Sequence, residues 1–197
     1  MTLAPHPPLH EFYDDAARRE SFVRDIFDEA APWYDRTMRF MSLGSRSRYR
    51  HNALERNGLE PGMKVLDVAT GTGAVARAAL PLTKEHRSII GLDPSFGMLA
   101  AGRAKAPLTN VQAKSEQLPF ADRSFDLVTI GFALRHFADL NTVFAECFRV
   151  LRPGGRLLIL KITTPESRVG RSLLGAYSAA GCRRRSGSCR GARARQS

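Results

Sequence analysis

Asp67, Gly71, Gly73 and Asp93 carry the first chemical signal in this sequence. Gly71-Thr72-Gly73 follows the apolar run Val65-Leu66-Asp67-Val68-Ala69. Glycines there let a backbone turn sharply and approach a ligand with no Cβ in between. The alanine-rich residues that follow predict a helix, whose first N–H groups would point at the same ligand. Asp93 stands 20 residues beyond Gly73, at the end of a second apolar run. A carboxylate at that place can accept hydrogen bonds from both hydroxyls of a ribose. Gly71 to Ala76 also fits G-x-G-x-x-A, the dinucleotide fingerprint, so the glycines alone leave two cofactors open. Asp67, four residues before the first glycine, separates them. Its charge would repel a pyrophosphate and attract the ammonium of the methionine end of S-adenosylmethionine (SAM). Each aspartate has a plainer reading, Asp93 as the cap of the next helix and Asp67 as a turn residue. Together, around this turn, they favour SAM over NAD.

Groups that bind at strand ends need a sheet to carry them. Apolar runs at 65–69, 88–93, 110–113, 127–132 and 156–162 predict five strands. Between them lie the helix after Gly73, ending near Pro81, and a helix for which Asp93-Pro94 supplies an N-cap and an N1 proline. A further helix has Val143, Phe144, Cys147, Phe148 and Leu151 as its apolar face, and Pro153-Gly154-Gly155 turns it into the last strand. Strands of this kind alternating with helices predict a doubly wound, mostly parallel α/β sheet of Rossmann-like type. In such a sheet ligands bind beyond the carboxyl ends of the strands. Ahead of the sheet Phe22, Val23, Ile26, Phe27 and Ala30 fall at helical spacing until Pro32, predicting a helix of about three turns. The organisation expected is a flexible N-terminus at 1–19, a helical lid at 20–60, a SAM-binding core at 61–165 and an irregular arginine-rich tail at 166–197.

The net charge of +11 would suggest nucleic acid or an anionic membrane as a partner, but its distribution argues otherwise. Between Ala176 and Ser197 there are six arginines and no acidic residue, so the body of the chain is only mildly basic. No specific nucleic-acid partner is expected. No apolar run approaches the 18 or so residues of a membrane span, and the start has no secretory h-region, so the expected location is the cytoplasm. Cys147, Cys182 and Cys189 lack the paired spacing of a zinc site and are expected to be reduced thiols; no metal is expected.

From about Phe27 to Pro165 the residues resemble the ubiquinone/menaquinone biosynthesis C-methyltransferases, a family of class I SAM-dependent enzymes. Tyr34-Asp35 with Met41-Ser42-Leu43-Gly44 is similar to that family's N-terminal signature. Val65 to Gly73 resembles its SAM loop, and Leu92-Asp93-Pro94-Ser95 with Met98-Leu99 its ribose and adenine segment. Leu118-Pro119-Phe120, Ser124-Phe125-Asp126, Leu134-Arg135 and Arg149 to Gly155 complete the series in order. The resemblance implies that Asp67, Gly71 and Gly73 hold the methionine part and Asp93 the ribose. It also implies that Met98 packs the adenine while Ser115 presents its backbone to the adenine edge. Arg135 would stabilise a developing phenolate, and His136 would serve as base. Tyr34 would close the lid. The implied reaction is C-methylation of a quinone precursor or similar aromatic small molecule. Membrane contact would then be peripheral, through a lipid quinone. Methylation of oxygen or nitrogen in another small molecule, and an inactive remnant that at most binds SAM, stand as alternatives.

Met38, Tyr49, Lys114 and Lys161 depart from the family's usual asparagine, tryptophan, acid or amide, and glutamate. The resemblance also implies a seven-stranded sheet ending in an antiparallel hairpin, which residues 166–197 do not spell. The expectation is a chain that has lost its C-terminal end, with an arginine-rich stretch like a reading frame shifted in a GC-rich gene. Leu157 to Ile162 would then lie on an unpaired edge, giving a poorly soluble protein of weak turnover.

Overall fold

The computed structural model describes the backbone of residues 16–42 and 45–161, and the side chains of 21–37 and 47–161. Two helices, α1 (Ala16–Ser42) and α2 (Ser45–Arg56), precede an alternation of strands and helices. These are β1 (Val65–Val68), α3 (Ala74–Thr83), β2 (Ile89–Asp93), α4 (Phe96–Arg103) and β3 (Thr109–Gln112). There follow β4 (Phe125–Gly131), α5 (Leu140–Val150) and β5 (Leu151–Leu160). The strands pair in the order β3-β2-β1-β4-β5, and every pairing is parallel. This is the expected doubly wound arrangement.

β1 lies at the centre and is buried along its whole length, which its Val-Leu-Asp-Val sequence permits because alternate residues serve opposite layers. Val65 joins Leu54, Val75, Ala79, Ile89 and Leu127 in one apolar layer. Leu66 and Val68 join Leu92, Val128, Ile130, Val143 and Val150 in the other. The chain leaves β1 toward β2 on one side and reaches β4 on the other. The carboxyl ends of β1, β2 and β4 therefore border the crevice where ligands of such sheets bind.

Several expectations need correction. Pro32 does not end α1; the helix runs on to Ser42. A proline within a helix leaves the carbonyl four residues back, here that of Asp28, without its helical N–H. That carbonyl lies against α4, 3.1 Å from where a Cβ on Gly97 would stand. The crossing of the two helices thus receives the group that the proline releases. Asp93 does not cap α4: Ser95 does, accepting from the N–H of Met98 at 3.1 Å. Pro153-Gly154-Gly155 is no turn between elements but an irregularity inside β5, where the pairing with β4 shifts from Phe125↔Leu151 to Leu127↔Arg156. Gly154 has φ +81° there, and Asp126 secures the shift by accepting from Arg152 Nη1 at 2.6 Å and from the N–H of Lys64 at 2.8 Å. Phe148 is 82% exposed, because Val143, Cys147 and Val150, at i, i+4 and i+7, already form the buried stripe of α5. α2 falls within the expected helical lid at 20–60 but has no apolar periodicity of its own.

On β5, Leu158 and Leu160 are buried in one layer, while Leu157 and Ile159 pack half-buried against the other. Ile162, the tail 166–197, the expected loss of a hairpin and residues 1–15 of the N-terminal segment lie outside the described residues, as do the side chains of Met38 and Met41.

Candidate cofactor and active site

The glycine turn is fixed from beneath by Asp67. That carboxylate is 1% exposed and accepts from Thr70 Oγ1 at 2.6 Å, from the N–H of Ala76 at 3.2 Å and from Thr129 Oγ1 at 2.6 Å. It joins the end of β1 to the turn, to the start of α3 and to β4. Burial raises its pKa, against the three hydrogen bonds that favour the charge. Asp67 is not among the residues lining the cavity described below, and neither is Gly73. Gly73 has φ +77° and leads into α3; a Cβ on it would stand 2.7 Å from Leu108 Cδ1.

Asp93, at the end of β2, reaches across to the same turn. Its Oδ2 accepts from the N–H of Gly71 at 2.8 Å and its Oδ1 from the N–H of Ser95 at 2.9 Å. Burial is the main cause that pushes its pKa up to about 6; the two backbone donors oppose it, and the charges of Asp67 and Asp28 add to it. The shift of the cap to Ser95 leaves this carboxylate to organise both loops and still face open space.

That space is an open cavity of about 920 Å³, counting the solvent at its mouth. Ala69, Gly71, Asp93, Met98, Lys114, Ser115 and Glu116 line it from the ends of β1, β2 and β3 and the segments that follow them. Phe132, Ala133, His136 and Phe137 line it from beyond β4, and Val23, Arg24, Phe27 and Tyr34 from α1. Ala69 (φ +53°) and Phe132 (φ +63°), neither a glycine, both adopt left-handed backbone where β1 and β4 meet the cavity. Backbone strain of this kind persists where the surroundings enforce it, commonly at functional sites.

His136 stands edge-on to Phe27, with ring centres 5.0 Å apart and planes at 87°, and Phe27 meets Tyr34 at 6.2 Å. Arg135 Nε donates to His136 Nε2 at 3.0 Å. A guanidinium only donates, so this contact uses the lone pair of His136 Nε2. Arg135 itself lies outside the lining. The structure therefore gathers Gly71, Asp93, Met98, Ser115 and His136 around one cavity and sets Asp67, Gly73 and Arg135 behind or beside it.

Sequence reasoning passed over Asp28, and it read Asp35 only as half of a signature. Asp28 accepts from Ser95 Oγ at 2.6 Å and from the N–H of Gly97 at 2.8 Å. Asp35 accepts from Thr72 Oγ1 at 2.5 Å, Arg77 Nη2 at 3.1 Å and Lys105 Nζ at 2.6 Å. The available signal was spacing: two carboxylates seven residues apart, each directly following an aromatic residue of the cavity wall.

The donor set suits SAM. An acceptor for a diol ends β2, and Met98 and Phe137 are buried apolar surface for a flat base. The turn beneath is shaped for close approach, since Gly71 has φ +58° and carries no side chain. Among the described residues no helix is long and apolar enough to cross a membrane, and no cluster of candidate metal ligands occurs.

Known proteins identify the family. The model of the ubiE/COQ5 methyltransferase family matches residues 15–180. The ubiquinone/menaquinone biosynthesis C-methyltransferase UbiE of Geobacter sulfurreducens is 41% identical over 185 residues, covering 86% of this chain and 72% of the relative. The protein of the same name from Shewanella frigidimarina is 34% identical over 171 residues, covering 83% and 68%. Among solved structures, a SAM-dependent methyltransferase from Thermotoga maritima superposes with a TM-score of 0.59 at 25% identity, over 75% of this chain and 65% of its own. The chain belongs to the ubiE/COQ5 methyltransferase family, and is a SAM-dependent methyltransferase of class I fold.

Proposed function

We propose that this chain transfers the methyl group of SAM to a ring carbon of a quinone precursor or a similar aromatic small molecule, in the cytoplasm. One observation carries the reading: a single cavity is lined both by strand-end groups suited to SAM and by aromatic side chains suited to a flat ring. The names of the two relatives state C-methylation in quinone biosynthesis, and we extend that reaction to this chain.

Asp93 accepts from the ribose hydroxyls with the lone pairs that Gly71 and Ser95 leave over. Met98 packs against the adenine, and Ser115 offers its backbone to the adenine edge. Gly71 and Gly73 let the methionine part approach the turn, which Asp67 holds in shape. Bound SAM supplies an electrophilic methyl on a good leaving group. The chain's own work is then to align a ring in front of that methyl and to exclude water. Phe27, Tyr34 and Phe132 form the aromatic walls, with the 20–60 segment acting as a lid. Nε2 of His136 is the basic site for the proton given up by the ring or its hydroxyl. Arg135 covers that lone pair until a substrate hydroxyl replaces it, and its charge then favours a phenolate.

Calorimetric titration with SAM, beside Asp93→Ala, tests the cofactor site. Labelled SAM with a panel of hydroquinones, phenols and amines tests the reaction. Saturable binding lost in the variant, and label on a ring carbon, are expected. Label on oxygen or nitrogen would replace C-methylation by the rival reaction, and absence of SAM binding by the folded chain would overturn the site.

A further inference from the structure

Helix α1 is attached to the rest of the chain by charge as well as by apolar contact. Asp28 and Asp35 are seven residues apart, two helical turns, so they project from one side of α1. Phe27 and Tyr34, each one residue earlier, repeat the spacing and line the cavity. Asp28 meets the loop after β2, where Ser95 Oγ donates at 2.6 Å and the N–H of Gly97 at 2.8 Å. Asp35 meets the glycine turn after β1, where Thr72 Oγ1 donates at 2.5 Å, with Arg77 and Lys105 beside it. Arg77 also donates to the carbonyl of Thr72, so the same guanidinium grips both the turn and the helix.

These two loops are the ones that Asp93 joins, through Gly71 and Ser95. One acidic side chain below and two above therefore hold the same pair of loops. Thr72 sits between the two glycines and is buried, so its hydroxyl meets Asp35 only while the turn keeps its shape. Gly97 allows the approach on the other side: a Cβ there would stand 3.0 Å from Asp28 Oδ1 and 3.1 Å from the Cα and O of Asp28. A helix held only by apolar packing would not need two half-buried carboxylates, whose desolvation opposes docking.

We propose that Asp28 and Asp35 are positioning residues that couple occupancy of the cofactor site to the seating of α1, so that Phe27 and Tyr34 wall the cavity only while both loops hold their cofactor-binding shape. The proposal rests on the reading of the cavity as the SAM site. Coupling of this kind is reciprocal: SAM slows the lifting of α1, and a seated α1 slows the escape of SAM.

The test uses the full chain, Asp28→Asn/Asp35→Asn, and Gly97→Ala, which disturbs the same contact by bulk instead of charge. Hydrogen exchange over residues 22–37 is followed with and without SAM, and SAM entry and release are followed by the fluorescence of Trp33, the chain's single tryptophan, which lies on α1. In the unaltered chain SAM slows exchange over α1. In both variants that exchange rises about ten-fold or more and no longer responds to SAM, while β1 and β4 keep their protection. SAM release quickens by about ten-fold and entry changes by no more than about two-fold. Variants that bind SAM and still show the full slowing of α1 exchange would overturn the proposal alone. So would a loss of protection shared by α1, β1 and β4, which marks a merely structural role. Failure of the folded, unaltered chain to bind SAM would overturn the cofactor reading and this proposal together.

Discussion

Lowering the pH through 6 should release SAM by protonating Asp93. Its folded-state pKa of about 6 lies above the ordinary 3.8, and burial is the chief cause. Between these two values the folded chain binds more protons than the unfolded one, so the contribution of this group to stability falls as pH rises through the window. At neutral pH the buried charge costs the free protein roughly 3 kcal/mol, and ribose hydroxyls that donate to it recover part of that cost. At pH 7 about nine-tenths of the population is ionised and binding is near its maximum; at pH 5 about one-tenth is, and Kd for SAM should be about ten-fold weaker. Asp93→Asn keeps the size of the side chain but offers only one oxygen to the two backbone donors and no charge to the diol. Its Kd should be about ten-fold or more above that of the unaltered chain at pH 7 and nearly flat down to pH 5. The assay is calorimetric titration at half-unit steps from pH 7.5 to 5, with circular dichroism to verify the fold at each step. A Kd constant across that range in the unaltered chain, or the same slope in Asp93→Asn, would refute the assignment of the titrating group.

Other predictions follow from the packing. Gly73→Ala places a side chain at φ +77° and 2.7 Å from Leu108 Cδ1; it should cost about 1–2 kcal/mol and lower Tm by about 2–8 °C in a thermal melt. Leu66→Ala, in the middle of β1 and fully buried, should cost about 2–5 kcal/mol in denaturant unfolding with the m-value unchanged. Arg149 bridges Glu146 on α5 to the carbonyls of Leu118 and Phe120, at 3.0 and 2.8 Å, downstream of the cavity residues Ser115 and Glu116. Arg149→Ala should speed hydrogen exchange over 115–123 and weaken SAM a few-fold, and Lys should not restore it, since an ammonium lacks the planar fork that reaches all three partners. Burial, with the Glu146 charge adding, pushes the Cys147 thiol up to about 12, so peptide mapping after maleimide treatment should find it labelled only once denaturant is present.

How far the sequence could be read depended on whether a residue's role was local. β1, the glycine turn and β2 were legible within a residue or two. A short, largely apolar run two residues ahead of Gly-Thr-Gly has few alternatives, and Asp93 sits where a strand must end. The doubly wound architecture followed from alternation alone. What was not legible is set by contacts distant in sequence. α2, Ser-Arg-Ser-Arg-Tyr-Arg-His-Asn-Ala-Leu-Glu-Arg, has no apolar periodicity, and it is anchored through Leu54 in the layer that α3 and β1 share. The choice of Ser95 over Asp93 as the cap of α4 depends on Asp93 being drawn to the Gly71 N–H, a partner 22 residues away.

The extension of α1 past Pro32 is the instructive case. By local rules the proline stops the helix, since it lacks an N–H and crowds the preceding turn. Here the carbonyl it orphans, that of Asp28, faces Gly97 on α4, 3.1 Å from where a Cβ would stand, so only a glycine leaves room for it. The same Asp28 extends its carboxylate to the Gly97 N–H and the Ser95 hydroxyl. Gly97 thus leaves room for the backbone that Pro32 disturbs and donates to the side chain that docks the helix. Neither residue announces this alone, because 65 positions separate Pro32 from Gly97. Read together they explain why α1 continues unbroken across the cavity, carrying Phe27 and Tyr34 on one side of the proline's turn and the other. A proline in that position is tolerated where α4 supports the helix and weakens it elsewhere, so α1 should be less stable lifted than seated. Pro32→Ala should then steady the lifted helix, reduce the difference in α1 exchange between SAM-free and SAM-bound protein, and leave Tm within a few degrees of its starting value. An unchanged exchange difference in that variant would sink the link between the proline and the docking of the helix.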